Sequence, residues 1–137
     1  MIALQGICKS FSGHPVLHSV SLAIAPRQVT ALISPSGSGK STLLRCVNLL
    51  ETPDAGSLTI RSETVGFGPD VRLSHAAVQG IRRQTGMVFQ NFQLFAHQTA
   101  VQNVMEGLLT VKRWEKARAH DRALQLLDRV GLRGKAD

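Results

Sequence analysis

A short apolar run, "VTALI" at Val29 to Ile33, passes directly into "SPSGSGKST" at Ser34 to Thr42 and then into a segment with helical spacing. No other feature constrains the fold as strongly. An apolar run without alternation predicts a strand buried on both faces, as inside a parallel or mixed sheet. Behind the loop, Leu43, Leu44, Val47 and Leu50 recur at helical spacing, which predicts a helix that stops near Glu51 and Thr52, because Pro53 follows. Strand, tight loop and helix in this order point to an α/β fold.

The loop fits the phosphate-binding pattern G-x-x-x-x-G-K-[ST] at every fixed position but the first, where Ser34 stands. The residue types match the chemistry. A loop that wraps a polyphosphate must bring backbone N–H groups close, so a Cβ is unwelcome at Gly37 and Gly39. The helix after it, from about Lys40, offers unpaired N–H groups and a positive dipole end. Lys40 supplies a point charge for the β- and γ-phosphates, Ser41 a hydroxyl for Mg²⁺, and Thr42 a hydroxyl for a nearer phosphate. Ser34, Pro35, Ser36 and Ser38 complete the loop. Ser34 costs roughly 1–2 kcal/mol if its position needs positive φ, and almost nothing otherwise. A turn that binds nothing is the alternative, but strand, lysine, hydroxyl and helix all agree on phosphate.

The first residues read as antiparallel β. Ile2 and Leu4 alternate with their neighbours, Ile7 follows Gly6, "SGHP" makes a turn, and Val20, Leu22 and Ile24 again show period two. "SLTI", Ser57 to Ile60, begins another strand after the turn "PDAG". Ser62 to Gly80 is polar without a clean period and reads as loop, and Met87 to Phe89 reads as a short strand ending at Gln90. Thr99 and Gln102 have capping-box spacing, ahead of a stripe at Val101, Val104, Met105, Leu108 and Leu109. A second helix spans about Lys116 to Val130, with Ala123, Leu124, Leu127 and Val130 on one face and Gly131 as its stop.

Composition narrows the class. With 43% hydrophobic and 18% charged residues, the 137-residue chain can build a core. No apolar run approaches the ~18 residues of a membrane span, and no signal peptide is visible. Cys8 and Cys46 lack metal-like spacing and read as reduced, mostly buried thiols. His14 and His18 are four apart, but Pro15 breaks any helix between them, so they are not read as a metal site. The net charge of +7 suits nucleic acid or an anionic membrane surface. The few aromatic residues do not interleave with the basic ones, so nucleic acid is not expected and a solvated surface near phospholipid is.

"SPSGSGKSTLLRCVNLLETPDAGSLTI" together with "GMVFQNFQLFAHQTAVQNVMEGL" resembles the ATP-binding subunits of ABC transporters, and more narrowly the polar amino acid importers of bacteria. The resemblance covers essentially the whole chain. It implies a P-loop NTPase core with an N-terminal antiparallel β subdomain over residues 1–90, followed by the start of a helical subdomain over 91–137. It identifies Ser34 to Thr42 with the Walker A loop, Phe11 with the aromatic that stacks on adenine, and Val16 with a residue near the same ring. On its own surroundings, Phe11 suits a core position equally well. Gln90 matches the glutamine that touches Mg²⁺ and the attacking water, so Lys40 and Gln90 become the catalytic candidates and Ser41 and Gln90 the metal candidates. Ala96 stands where the family usually shows Pro. The implied cofactors are ATP and Mg²⁺. The implied partners are membrane permease subunits and a second ATP-binding subunit, at the cytoplasmic face of the inner membrane.

The chain contains no "LSGGQ"-like signature and no apolar strand ending in Asp-Glu; "LQLLDRV" has Arg129 after Asp128, where Glu is needed. The resemblance therefore implies the N-terminal portion of such a subunit, with turnover not expected from these residues alone. Two alternatives stand beside the importer reading. One is a non-hydrolysing remnant that binds nucleotide weakly. The other is a soluble ABC ATPase acting on nucleic acid, against which "VFQNFQLFAHQT" argues.

Overall fold

The computed structural model describes residues 1–137, which form two compact units, Met1–Val88 and Phe89–Asp137. The first unit is built on a four-stranded antiparallel sheet. β1 (Ile2–Phe11) pairs with β2 (His14–Ile24) on one side and with β3 (Ala55–Ile60) on the other, and β4 (Glu63–Phe67) closes the order β2-β1-β3-β4. The register sets Ile2 opposite Ile24 and Leu4 opposite both Leu22 and Leu58. Period-two alternation thus brings the apolar face of each strand to one side. Leu4, Ile7 and Leu58 are fully buried there, with Cys46 and Ile81 from the helices.

Gly56 allows β3 to approach β1. Its φ is +106°, and a Cβ at this position would lie 2.5 Å from the carbonyl oxygens of both Gln5 and Gly6. Only glycine accepts both the conformation and the approach.

α1 (Lys40–Val47) follows the loop, as expected, but ends before Glu51. Leu49 adopts φ +57°, and the Asn48 side chain accepts a hydrogen bond from Leu50 N at 3.1 Å. This turn sends Leu49 into the core and leaves Leu44 and Leu50 about half exposed. The buried face is therefore Leu43, Cys46 and Leu49, not the expected stripe through Leu50.

Two expected strands are absent. Val29 to Ile33 forms no ladder, and Val29 and Ile33 are 99% and 92% exposed. Met87 to Phe89 forms none either, with Val88 97% exposed. The physical reason is shared: a strand exists only when paired with a neighbour, and no strand of the sheet pairs with either segment. Conversely, the stretch Ser62 to Gly80, read as loop, contains β4 and most of α2 (His75–Gln84). Val65 and Phe67 on β4 are buried, Ser74 caps α2 by accepting from Ala77 N at 3.1 Å, and Ile81 seats the helix on the core. Burying that one side chain contributes about 1.5–3 kcal/mol.

The second unit is a helical hairpin. α3 (Ala100–Thr110) starts with a full capping box: Gln102 N donates to Thr99 Oγ1 at 3.4 Å, and Thr99 N donates to Gln102 Oε1 at 2.9 Å. α4 (Lys116–Arg129) packs Ala119, Ala123 and Leu127 against Val101 and Met105 of α3. Gly131, at φ +73°, ends it: Gly131 N donates to Asp128 O and Leu132 N to Leu127 O. Val130, expected on the buried face, lies past the helix end and is exposed.

Candidate functional site

The loop Ser34 to Gly39 turns back toward the β1–β2 hairpin and feeds α1. Gly37 and Gly39 sit at φ +80° and +90°. A Cβ on Gly39 would meet Leu17 Cδ2 at 3.0 Å and the Val16 carbonyl at 3.2 Å, so the loop lies directly on β2. Both glycines are thus required by backbone shape, and Gly39 also by space.

Gly39 is the N-cap of α1, and no side chain caps it. The helical ladder begins with Leu43 N donating to Gly39 O at 2.9 Å. The N–H groups of Lys40, Ser41 and Thr42 precede that ladder, at the positive end of the helix dipole. They form an anion cradle, and the bare glycine shape leaves its approach open. These residues fit a polyphosphate.

Lys40 is drawn over the same loop. Its Nζ donates to the carbonyl oxygens of Ser34 and Pro35, both at 2.7 Å, and lies 3.2 Å from Ser34 Oγ and 3.3 Å from Ser38 Oγ. Ser34 Oγ and Ser38 Oγ are hydrogen-bonded to each other. The backbone of Ser34 is not in the positive-φ region, so its Cβ carries no conformational cost there. A cleft of about 180 Å³ adjoins the loop, floored by Leu17, Val20, Leu32 and Leu43 and rimmed by Ser34, Ser38 and Lys40. No carboxylate lines it.

The other sequence candidates fall in two groups. Ser36, Pro35 and Ser41 are exposed around the loop, and Thr42 is half-buried at the start of α1. Val16 touches the loop at Gly39, and Phe11 stands at the far end of β1, opposite His14 and 41% exposed. Gln90 and Ala96 belong to the second unit and are exposed. Three contributors escaped the sequence reading. Leu17 floors the loop, while Lys9 and Asp54 surround Phe11: Lys9 Nζ lies 5.2 Å from the ring centroid and 3.3 Å from Asp54 Oδ1. Lys9 is two residues from Phe11 and so on the same strand face, a signal available in the sequence. Asp54 is 45 residues away from Lys9, and nothing local announces it.

The family model for ABC transporters matches residues 17–137. The chain belongs to the ABC transporter family. Among curated relatives of this family, it is 42% identical over its whole length to a probable amino-acid ABC transporter ATP-binding protein of Haemophilus influenzae, of which it covers 53%. It is 43% identical over 98% of its length to an L-cystine transport system ATP-binding protein of Escherichia coli, covering 54% of that protein. An arginine transport ATP-binding protein of Corynebacterium glutamicum is 43% identical, with 56% covered. The chain spans about half the length of the curated relatives it matches. Among solved structures, a dimeric ATP-binding cassette in a post-hydrolysis state, bound to ADP and Pi, superimposes with a TM-score of 0.79 at 30% identity, over 93% of this chain and 56% of the other. The fold is that of the N-terminal portion of an ABC ATPase cassette, a P-loop NTPase core with an antiparallel β subdomain and the start of a helical one. No helix is long and apolar enough to cross a membrane.

Proposed function

We propose that this chain is the nucleotide-binding portion of an ABC importer's ATP-binding subunit, coupling ATP hydrolysis to uptake of a polar amino acid. The observation that carries the reading is the uncapped N-terminus of α1 behind the Gly37–Gly39 loop, with Lys40 folded over it. Relatives whose names specify amino-acid, cystine and arginine transport support the solute class. The nucleotide-binding core would run over residues 1–90, two residues past the compact unit Met1–Val88, and the start of the helical subdomain over 91–137.

In this reading, Ser34 to Thr42 bind the phosphates of ATP through backbone N–H groups, and Lys40 Nζ turns from its loop carbonyls to phosphate oxygens. Ser41 would hold Mg²⁺ through its hydroxyl, with Gln90 the sequence's second metal candidate, and the ion would offset the charge of the phosphates. Phe11 stacks on adenine, with Val16 beside it. Membrane permease subunits and a second copy of the ATP-binding subunit are the partners, at the cytoplasmic face of the inner membrane. Lys40 would act in hydrolysis by holding the γ-phosphate, and Gln90 is the sequence's candidate for holding the attacking water; no carboxylate of the cleft beside the loop stands ready as general base.

Calorimetry tests the reading. Lys40→Ala is expected to abolish detectable Mg²⁺–ATP binding, because a charge facing several phosphate oxygens is lost. Unchanged affinity would remove the phosphate-loop assignment.

A further inference from the structure

Phe11 ends β1 at a hairpin tip, where an aromatic ring would ordinarily turn freely. Here both preceding residues are pinned. Ser10 N donates to Asp54 Oδ2 at 2.6 Å, and Asp54 N donates to Cys8 O at 2.8 Å. Lys9 is held as firmly: Nζ donates to Thr52 O at 2.8 Å and reaches Asp54 Oδ1 at 3.3 Å. Its side chain is only 15% exposed, against 46% for Asp54. The remaining direction of that ammonium points over the Phe11 ring. No other lysine or arginine in the chain is paired with a carboxylate. The α1–β3 connection, which follows directly from the phosphate loop's own helix, thus fixes the end of β1.

We infer that Lys9 and Asp54 are positioning residues that hold the Phe11 ring, with one face covered by the ammonium and the other presented to a purine base. The inference rests on the proposed nucleotide site and deepens it. Two physical effects act together. The pair removes rotational freedom that binding would otherwise have to freeze out. The cation also draws π density toward the covered face, which leaves the free face better suited to an electron-rich base. β2 connects the two ends of the site. His14 opposes Phe11, and Val16, two residues on, touches Gly39. Ring and phosphate loop therefore ride on one hairpin.

The test compares Mg²⁺–ATP with Mg²⁺–tripolyphosphate, which has the phosphates but no base. Affinities for the 137-residue chain and its Lys9→Met, Asp54→Asn, Lys9→Arg and Phe11→Ala variants are measured by calorimetry. Lys9→Met and Asp54→Asn should each weaken ATP by about three- to tenfold and leave tripolyphosphate within about twofold, while Lys9→Arg retains ATP affinity within about twofold. Equal weakening of both ligands would show a general structural role and overturn the inference. So would loss of base preference in Phe11→Ala without any in Lys9→Met or Asp54→Asn. If Phe11→Ala itself leaves the ratio of the two affinities unchanged, the ring does not read the base, and the inference falls while the Lys40 result still stands for the phosphate site.

Discussion

Ser34 brings a hydroxyl to a place where the phosphate-loop pattern has none. Its cost is not conformational, because its backbone avoids positive φ. The hydroxyl instead meets Ser38 Oγ and lies 3.2 Å from Lys40 Nζ, adding a partner to an ammonium already held by two carbonyls at 2.7 Å. A phosphate must displace these contacts, and one hydrogen bond from the ammonium to a hydroxyl, long at 3.2 Å and exposed to water, is a small competitor. Ser34→Gly should therefore tighten Mg²⁺–ATP binding by no more than tenfold, about 1.4 kcal/mol, in a calorimetric titration. A gain of several orders of magnitude would mean that Ser34 disables the site. Cys46 offers a second check at this scale. Burial pushes its thiol up to about 11, so little thiolate exists near neutral pH. Alkylation of Cys46 at pH 8 should be negligible in the folded chain and rise steeply through the urea transition. Rapid labelling without denaturant would contradict the packing of α1 on the sheet.

Gly56 is where one residue decides an element. Its φ of +106° and the carbonyls of Gln5 and Gly6 leave no room for a methyl group without parting β1 from β3. Gly56→Ala should lower the urea stability by at least about 2 kcal/mol, a value for strained backbone before any loss of ladder hydrogen bonds. A change under a few tenths would show that the two strands separate easily. The elements differ in how far the sequence revealed them, and locality explains the difference. The β1–β2 hairpin and the α3–α4 pair depend on near neighbours: alternation, a four-residue turn, a Thr99–Gln102 box and a terminal Gly131. β4 carries just two inward side chains, Val65 and Phe67, too few to show a period, and α2 has one fully buried residue, Ile81. Val29 to Ile33 failed in the other direction. Its apolar run predicts a strand buried on both faces, but burial of a parallel strand depends on neighbours distant in sequence, and here Val29 and Ile33 stay exposed. The site shows the same division. The loop from Ser34 to Thr42 was legible because its chemistry is contiguous, whereas Asp54 reaches Lys9 across 45 residues.

At the scale of the whole chain, the question is what these 137 residues can do alone. Two physical facts bear on turnover. The cleft beside the phosphate loop is lined by Lys40, serines and apolar side chains, with no carboxylate to accept a proton from water. In the same unit, Asp54 is already engaged by Lys9 and by Ser10 N. Without a positioned general base, a rate falls by about 10²–10⁴-fold. The second fact concerns the loop's entry. Val29 and Ile33 lie almost wholly exposed on an unpaired segment that leads directly into Ser34. Unpaired N–H and C=O groups beside exposed apolar side chains invite pairing with another chain. The chain should therefore self-associate at concentrations where complete cassettes stay dispersed, visible as an apparent mass that grows with concentration in light scattering. Segments that lack ladder bonds also hold their ends loosely, so the phosphate loop should bind more weakly than its own residues allow. Binding without turnover is the expected signature. Phosphate release from purified residues 1–137 with Mg²⁺–ATP should not exceed that of the Lys40→Ala control. Lys40-dependent release at a rate of about one per second or more, within the ordinary range for enzymes, would place the catalytic base inside this chain after all.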